Sequence, residues 1–238
     1  MNVYITGLNK GCGKTVISAG IASVMQSLGY KTCVYKPVQC GATDKGKYYV
    51  SPDLNFVKLA DSHITTHSTY MFKTNALPVV ASQIENLEIG IENIYRDYLT
   101  LSKKCETVIV ESFSNLASPL NENTFSFNIP RMLKTPVVFV ITPVSDNVGL
   151  YLSEINFAKS IGLDIVGVII NKFQVYSESA EIKSFPALIE SYSDVKVLGI
   201  IRHFKGKGIT VNTLISEIIN GIDLQELFGI KIPKLNIY

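Results

Sequence analysis

The chain has 238 residues, 47% hydrophobic and 18% charged, with a formal net charge of +2. That balance excludes an intrinsically disordered chain and is too mild to argue for a nucleic-acid or membrane-surface partner. The length fits one large domain, so residues 1–238 are expected to form a single unit.

In chain order, an apolar run at 3–5 opens the sequence with no basic segment and apolar stretch ahead of it, which predicts no secretory leader. A glycine-rich segment follows, and residues 15–28 then carry apolar side chains at helical spacing. A second apolar run covers 32–38. Residues 41–51 are polar and rich in Gly and Lys and read as a mobile loop, while 61–87 contain Pro78 and show no clean period. Further strand-like runs lie at 107–111, 137–142, 165–171 and 195–201, with helical patterns at 89–102, 150–161 and 178–191. An amphipathic stretch at 211–227 closes the pattern.

The runs are continuous rather than alternating, as in parallel strands covered on both faces. Strand alternating with helix predicts an α/β fold, a doubly wound and mainly parallel sheet with helices on both faces. No apolar run reaches the length of a membrane span. Cys12, Cys33, Cys40 and Cys105 form no CxxC pair, so neither zinc nor disulfides are expected and a reducing, cytoplasmic setting is.

The segment Gly7-Leu-Asn-Lys-Gly-Cys-Gly-Lys-Thr15 lies between the first strand and the first helix. Phosphate binding requires that context. Successive backbone N–H groups line such a loop, and the helix N-terminus adds partial positive charge. The backbone from Gly11 through Cys12, Gly13, Lys14, Thr15 and Val16 is therefore the candidate nucleotide cradle of a P-loop NTPase-like fold. Lys14 would reach the β- and γ-phosphates, and the Thr15 hydroxyl would ligate Mg²⁺. Five residues separate Gly7 from Gly13, one more than the usual spacing. Glu111, ending an apolar strand, is a candidate carboxylate for the metal.

Lys36 ends the second strand in Tyr35-Lys36-Pro37-Val38-Gln39-Cys40-Gly41, at the sheet edge where such folds bind ligands. With this segment the sequence resembles the dethiobiotin synthetase family. The five-residue loop spacing, Lys36-Pro37, Ser51-Pro52-Asp53, Val108-Ile-Val-Glu111, the stretch 77–82, Ser118-Pro119-Leu120, Val166-Gly-Val-Ile-Ile-Asn171 and Leu198-Gly199 follow the family's motifs in order over about residues 1–204. The resemblance implies ATP- and Mg²⁺-dependent closure of a cyclic urea from a diamino acid, 7,8-diaminononanoate, and CO2. It implies that Lys14 and Lys36 neutralise the carbamate and the transferring phosphoryl group. Thr15, Asp53 and Glu111 would hold Mg²⁺, Asn171 would read the adenine, and Arg202 would stand at the nucleotide rim. It also implies a homodimer.

Some positions depart from the family pattern. Glu111-Ser-Phe-Ser-Asn115 replaces a glycine-rich turn, Cys40 stands where a Ser or Thr would meet the substrate carboxylate, and Lys172 stands where an acid is common. Cys40 and Ser112 are then the candidate substrate contacts, and ATP binding is set more firmly than the acceptor. Two other functions fit a phosphate loop. A partitioning or division-site ATPase would carry a signature lysine where Asn9 stands, and a cobyrinate-type ligase would add a glutaminase domain. His63 and His67, four apart, read as surface histidines because Ile64 replaces the glutamate of a zincin helix. The loop 205–208, Lys-Gly-Lys-Gly, reads as solvated or as lining the nucleotide rim.

Overall fold

A computed structural model describes residues 1–144, 147–203 and 210–230. The basic loop at 205–208 and the start of the turn at 145–149 lie outside them. The elements in chain order are β1 (Asn2–Thr6), α1 (Lys14–Ser27), β2 (Thr32–Tyr35), β3 (Val38–Cys40), β4 (Thr43–Asp44), β5 (Tyr49–Val50) and α2 (Pro52–Ala60). Then come β6 (Thr65–His67), β7 (Tyr70–Phe72), α3 (Pro78–Glu85), α4 (Ile91–Lys104), β8 (Thr107–Glu111), α5 (Asn128–Leu133), β9 (Val137–Ile141) and α6 (Val148–Ser160). The chain continues through β10 (Ile165–Phe173), α7 (Ala180–Ser193), β11 (Val197–Arg202), α8 (Val211–Gly221) and α9 (Leu224–Phe228).

Seven strands form one sheet in the order β11-β10-β9-β1-β8-β2-β6, and its described pairings are all parallel. The central strands β1, β2, β8 and β9 bury both faces. Val3 and Ile5 of β1 join Val34, Ile109, Val138 and Val140 under α1, α2 and α8. Tyr4 joins Tyr35, Val110, Phe139 and Ile170 on the opposite face with residues of α4, α6 and α7. Full burial of such side chains contributes roughly 1.5–3 kcal/mol each, which is why the runs read as continuously apolar. Helix α1 is buried on nearly every side from Ile17 to Met25. Its small residues permit this: a Cβ on Gly20 would lie 2.5 Å from Ile218 of α8.

Four readings of the sequence change. The run 32–38 is divided, because Pro37 has no N–H to continue the main ladder. Lys36 N still donates to His67 O at 2.9 Å, and Val38–Cys40 then pairs with β7 in a separate small sheet. The polar segment 41–51 holds an antiparallel pair, β4 with β5, rather than an unstructured loop. The stretch 61–87 supplies the edge strand β6, as well as β7 and α3. The closing pattern at 211–227 is two helices, since Asp223 accepts from Glu226 N at 2.9 Å and caps a new start. Among the described residues no helix is long and apolar enough to cross a membrane.

Candidate active site

The chain leaves β1, turns through the loop into α1, and returns as β2 two places away, beyond β8. This crossover opens a cleft at the carboxyl ends of β1, β8 and β2, as parallel sheets do where strand order changes. Register aligns the contents. Ile5 lies opposite Glu111, and Tyr35 lies opposite Val110, so the ends of the three strands present Gly7, Glu111 and Lys36 together. The cleft has a volume of about 320 Å³ and is lined by Lys14, Thr15, Lys36, Asp53 and Glu111, with Cys40 and Phe113 farther along.

The phosphate loop depends on its glycines. Gly11 and Gly13 have φ of +83° and +95°, a region that side chains disfavour. A Cβ on Gly13 would also collide with the Asn171 amide, and one on Gly7 would collide with Val140 O. Lys14 is buried and its Nζ donates to Asn9 O at 3.2 Å. Burial pulls its pKa below the ordinary lysine value.

Behind the loop lies a cluster of charges. Lys36 Nζ lies 2.7 Å from Glu111 Oε1 and 2.7 Å from Asp53 Oδ2. Thr15 Oγ1 donates to the same Glu111 oxygen at 2.8 Å. Lys36 is 3% exposed and Glu111 1%, so each charge depends on the other for its burial. Burial alone would lower the Lys36 pKa, but the Glu111 and Asp53 carboxylates outweigh it and hold the pKa above the ordinary lysine value. Asp53 is placed by a helix start: Ser51 Oγ accepts from Leu54 N at 3.1 Å, and Pro52 opens α2. Ser51 Oγ also donates to Gln39 Oε1 at 2.6 Å, tying that cap to β3.

The sequence-predicted residues divide into two groups. Gly11, Gly13, Lys14, Thr15, Lys36, Cys40, Asp53 and Glu111 all line the cleft. Cys12 sits beneath the loop, its Sγ 3.8 Å from Lys14 Nζ. Val16 packs toward the apolar layer under α1 rather than the cleft. Ser112 is buried and turned inward, its Oγ donating to Ser114 O at 2.6 Å, with Thr6 Oγ1 3.3 Å away. Asn171 Nδ2 donates to Cys12 O at 2.9 Å, so part of the amide expected to read a base supports the loop instead. Arg202 pairs with Glu217 of α8 and, with Phe173, Tyr176 and His203, borders a second, more apolar cavity. His63 faces Asp61, and His67 faces Asp97 from β6.

Other residues were not singled out by sequence. Lys10 Nζ donates to Asn75 Oδ1 at 3.2 Å and lies 4.5 Å from the centre of the Phe113 ring, and all three residues line the cleft. Leu116 N donates to Glu154 Oε1 at 2.7 Å, anchoring the far end of the turn at 112–115. Lys10 lies one place beyond the signature-lysine position at Asn9, and that near-match gave no hint of its place beside Phe113. Glu154 carries no local signal, since only folding brings α6 to that turn.

Comparison with known proteins bears on the family and the fold. The family described as an AAA domain matches residues 1–206. The ATP-dependent dethiobiotin synthetase BioD of Bacillus subtilis is 26% identical over 229 residues, 95% of this chain and 96% of the relative. That of Caldicellulosiruptor saccharolyticus is 32% identical over 180 residues, 72% of this chain and 74% of the relative. Among solved structures, the MinC:MinD cell division protein complex of Aquifex aeolicus superposes with a TM-score of 0.57 at 15% identity. The match covers 98% of this chain and 97% of that chain, a likeness of fold alone.

Proposed function

The chain belongs to the dethiobiotin synthetase family of ATP-dependent carbon–nitrogen ligases, and from that premise we propose that it closes the cyclic urea of dethiobiotin. The substrates in this reading are 7,8-diaminononanoate, CO2 and ATP. The observation that carries it is the Lys36 ammonium between Glu111 and Asp53, beside Thr15 at the mouth of the phosphate loop.

A carbamate is an anion, and so is the phosphate it attacks. Bringing them together is mainly a matter of positioning and charge neutralisation. Lys14 meets the nucleotide phosphates from inside the loop. Lys36, held charged by its two carboxylates, meets the carbamate and the transferring group from the opposite wall. Cys40 takes the place of a hydroxyl donor, and burial pushes its pKa up to about 11, so it serves as a neutral, weak donor.

The donor set suits Mg²⁺. Glu111 Oε2 is buried and has no hydrogen-bond partner among the described residues, the Thr15 hydroxyl bonds the other oxygen of that carboxylate, and Asp53 shares the Lys36 ammonium with it. Those are hard oxygen ligands of the kind that hold Mg²⁺ through one or two carboxylates together with phosphate. When bound there, the ion would supply charge neutralisation at the phosphates. The reading also takes the active form as a homodimer acting on small molecules.

The test is ADP release by the purified protein with the diamine and bicarbonate added singly and together. Release that requires both supports the reading, and so does rescue of a biotin auxotroph. Hydrolysis indifferent to the diamine would instead favour a regulatory ATPase.

A further inference from the structure

Lys172 belongs to no motif that the proposed function uses, yet it reaches the phosphate loop. Its Nζ donates to Gly11 O at 2.5 Å, next to the Asn171 bond to Cys12 O. Successive side chains of a strand point to opposite faces, so Asn171 and Lys172 in a regular β10 could not both reach one loop. The strand is irregular at this point. Its register against β11 shifts between Ile170 and Phe173, and Lys172 has φ +57°, in the left-handed region. A bulge re-aims side chains in this way, and a non-glycine residue enters that region only at a cost.

The consequence for the loop follows from peptide planarity. The C=O of one residue and the N–H of the next point in opposite directions across a trans peptide. Holding the Gly11 carbonyl outward therefore turns the Cys12 N–H inward, and holding the Cys12 carbonyl outward turns the Gly13 N–H inward. Thr142 Oγ1 adds a second donor to Cys12 O at 3.3 Å, and Ile17 N takes Gly13 O at 3.0 Å as the first turn of α1. Three consecutive carbonyls are thus held from behind. Of these holds, the Gly11 carbonyl's is the one made by a charged side chain.

We propose that Lys172 is a positioning residue for the nucleotide: its ammonium fixes the Gly11 peptide so that the phosphate loop keeps its N–H groups turned toward the phosphates. The inference needs the loop to bind a nucleotide but does not need the diamine to be the acceptor.

The test uses Lys172→Gly, because glycine takes the positive φ without strain while removing the ammonium. Titration calorimetry with MgADP alone is expected to show about a tenfold rise in Kd, the scale of one lost charge-assisted hydrogen bond. The KM for ATP should rise in step, while kcat at saturating ATP stays within about twofold of wild type. Lys172→Arg, which keeps a cation in reach, should restore most of the affinity. The nucleotide-free Lys172→Gly protein should melt no lower than wild type, which separates positioning of the loop from general support of the fold. An MgADP Kd within about twofold of wild type, or a fall in kcat with Kd unchanged, would overturn the inference. Since the titration contains no acceptor, its outcome stands apart from that of the diamine experiment.

Discussion

The two halves of the cleft are built differently. On the phosphate side, position is set by the backbone. Strand register places Glu111 opposite Ile5, and the loop relies on positive φ at Gly11 and Gly13 with its carbonyls held from behind. On the side that the proposed function gives to the acceptor, position is set by side chains: Lys10 against Asn75 and Phe113, Ser112 folded onto Ser114, and Glu154 holding Leu116. The triphosphate is the same in every nucleoside triphosphate, so main-chain N–H groups suffice for it. An acceptor is distinguished by shape and charge, which side chains supply and single substitutions can change without altering the fold.

Substitutions at the junction of the halves should have the largest effect. Lys36→Ala should lower kcat on the order of 10²- to 10³-fold, the scale for removing a group that stabilises developing charge. It should also cost about 3 kcal/mol of stability in denaturant titration, because Glu111 loses the cation that compensates its buried charge. Activity within tenfold of wild type would break the comparison, since neither half would then need Lys36. Gly13→Ala should weaken MgATP binding by more than about tenfold, as the new Cβ both opposes the positive φ and meets Asn171.

Smaller changes sharpen the contrast. Phe113→Ala should raise the acceptor KM by roughly three- to tenfold while leaving the MgADP Kd unchanged, since it removes the ring beside Lys10 but no loop contact. An equal loss in both constants would show that the halves are not separable. Cys40→Ser should improve the acceptor KM by no more than about threefold, replacing a weak donor with a stronger one. The smallest effect is one of pH. Burial raises the Glu154 carboxyl pKa above its ordinary 4.5, outweighing the Leu116 N–H that lowers it. The native state therefore holds that proton more tightly than the unfolded chain, and wild-type stability should fall as pH rises through 4.5 toward the folded value. Melting curves of Glu154→Gln across the same range should lack that component.

Much of the phosphate half was legible in the sequence. Gly13-Lys14-Thr15 between a strand and a helix, and Glu111 at a strand end, are local patterns whose chemistry follows from their neighbours in the chain. Asp53 and Lys36 were also identified, but their contact with each other and with Glu111 spans residues far apart in sequence. Less of the acceptor half was legible. Ser112 was expected to face the substrate, and nothing in Glu111-Ser-Phe-Ser-Asn115 announces that its hydroxyl folds inward to Ser114 while Phe113 lies beside Lys10.

The sequence alone determined the strand and helix alternation, because continuous apolar runs and helical spacing are statements about adjacent residues. It also determined the phosphate loop, because glycines and a helix start act locally. The tertiary structure alone decided that Pro37 sends Val38–Cys40 into a second sheet and that β6 forms the edge of the first. It alone decided that a bulge in β10 turns Asn171 and Lys172 onto the same loop. Those outcomes depend on which segments meet across the sheet, and a residue's partner across a sheet is fixed by register and packing rather than by its neighbours in the chain.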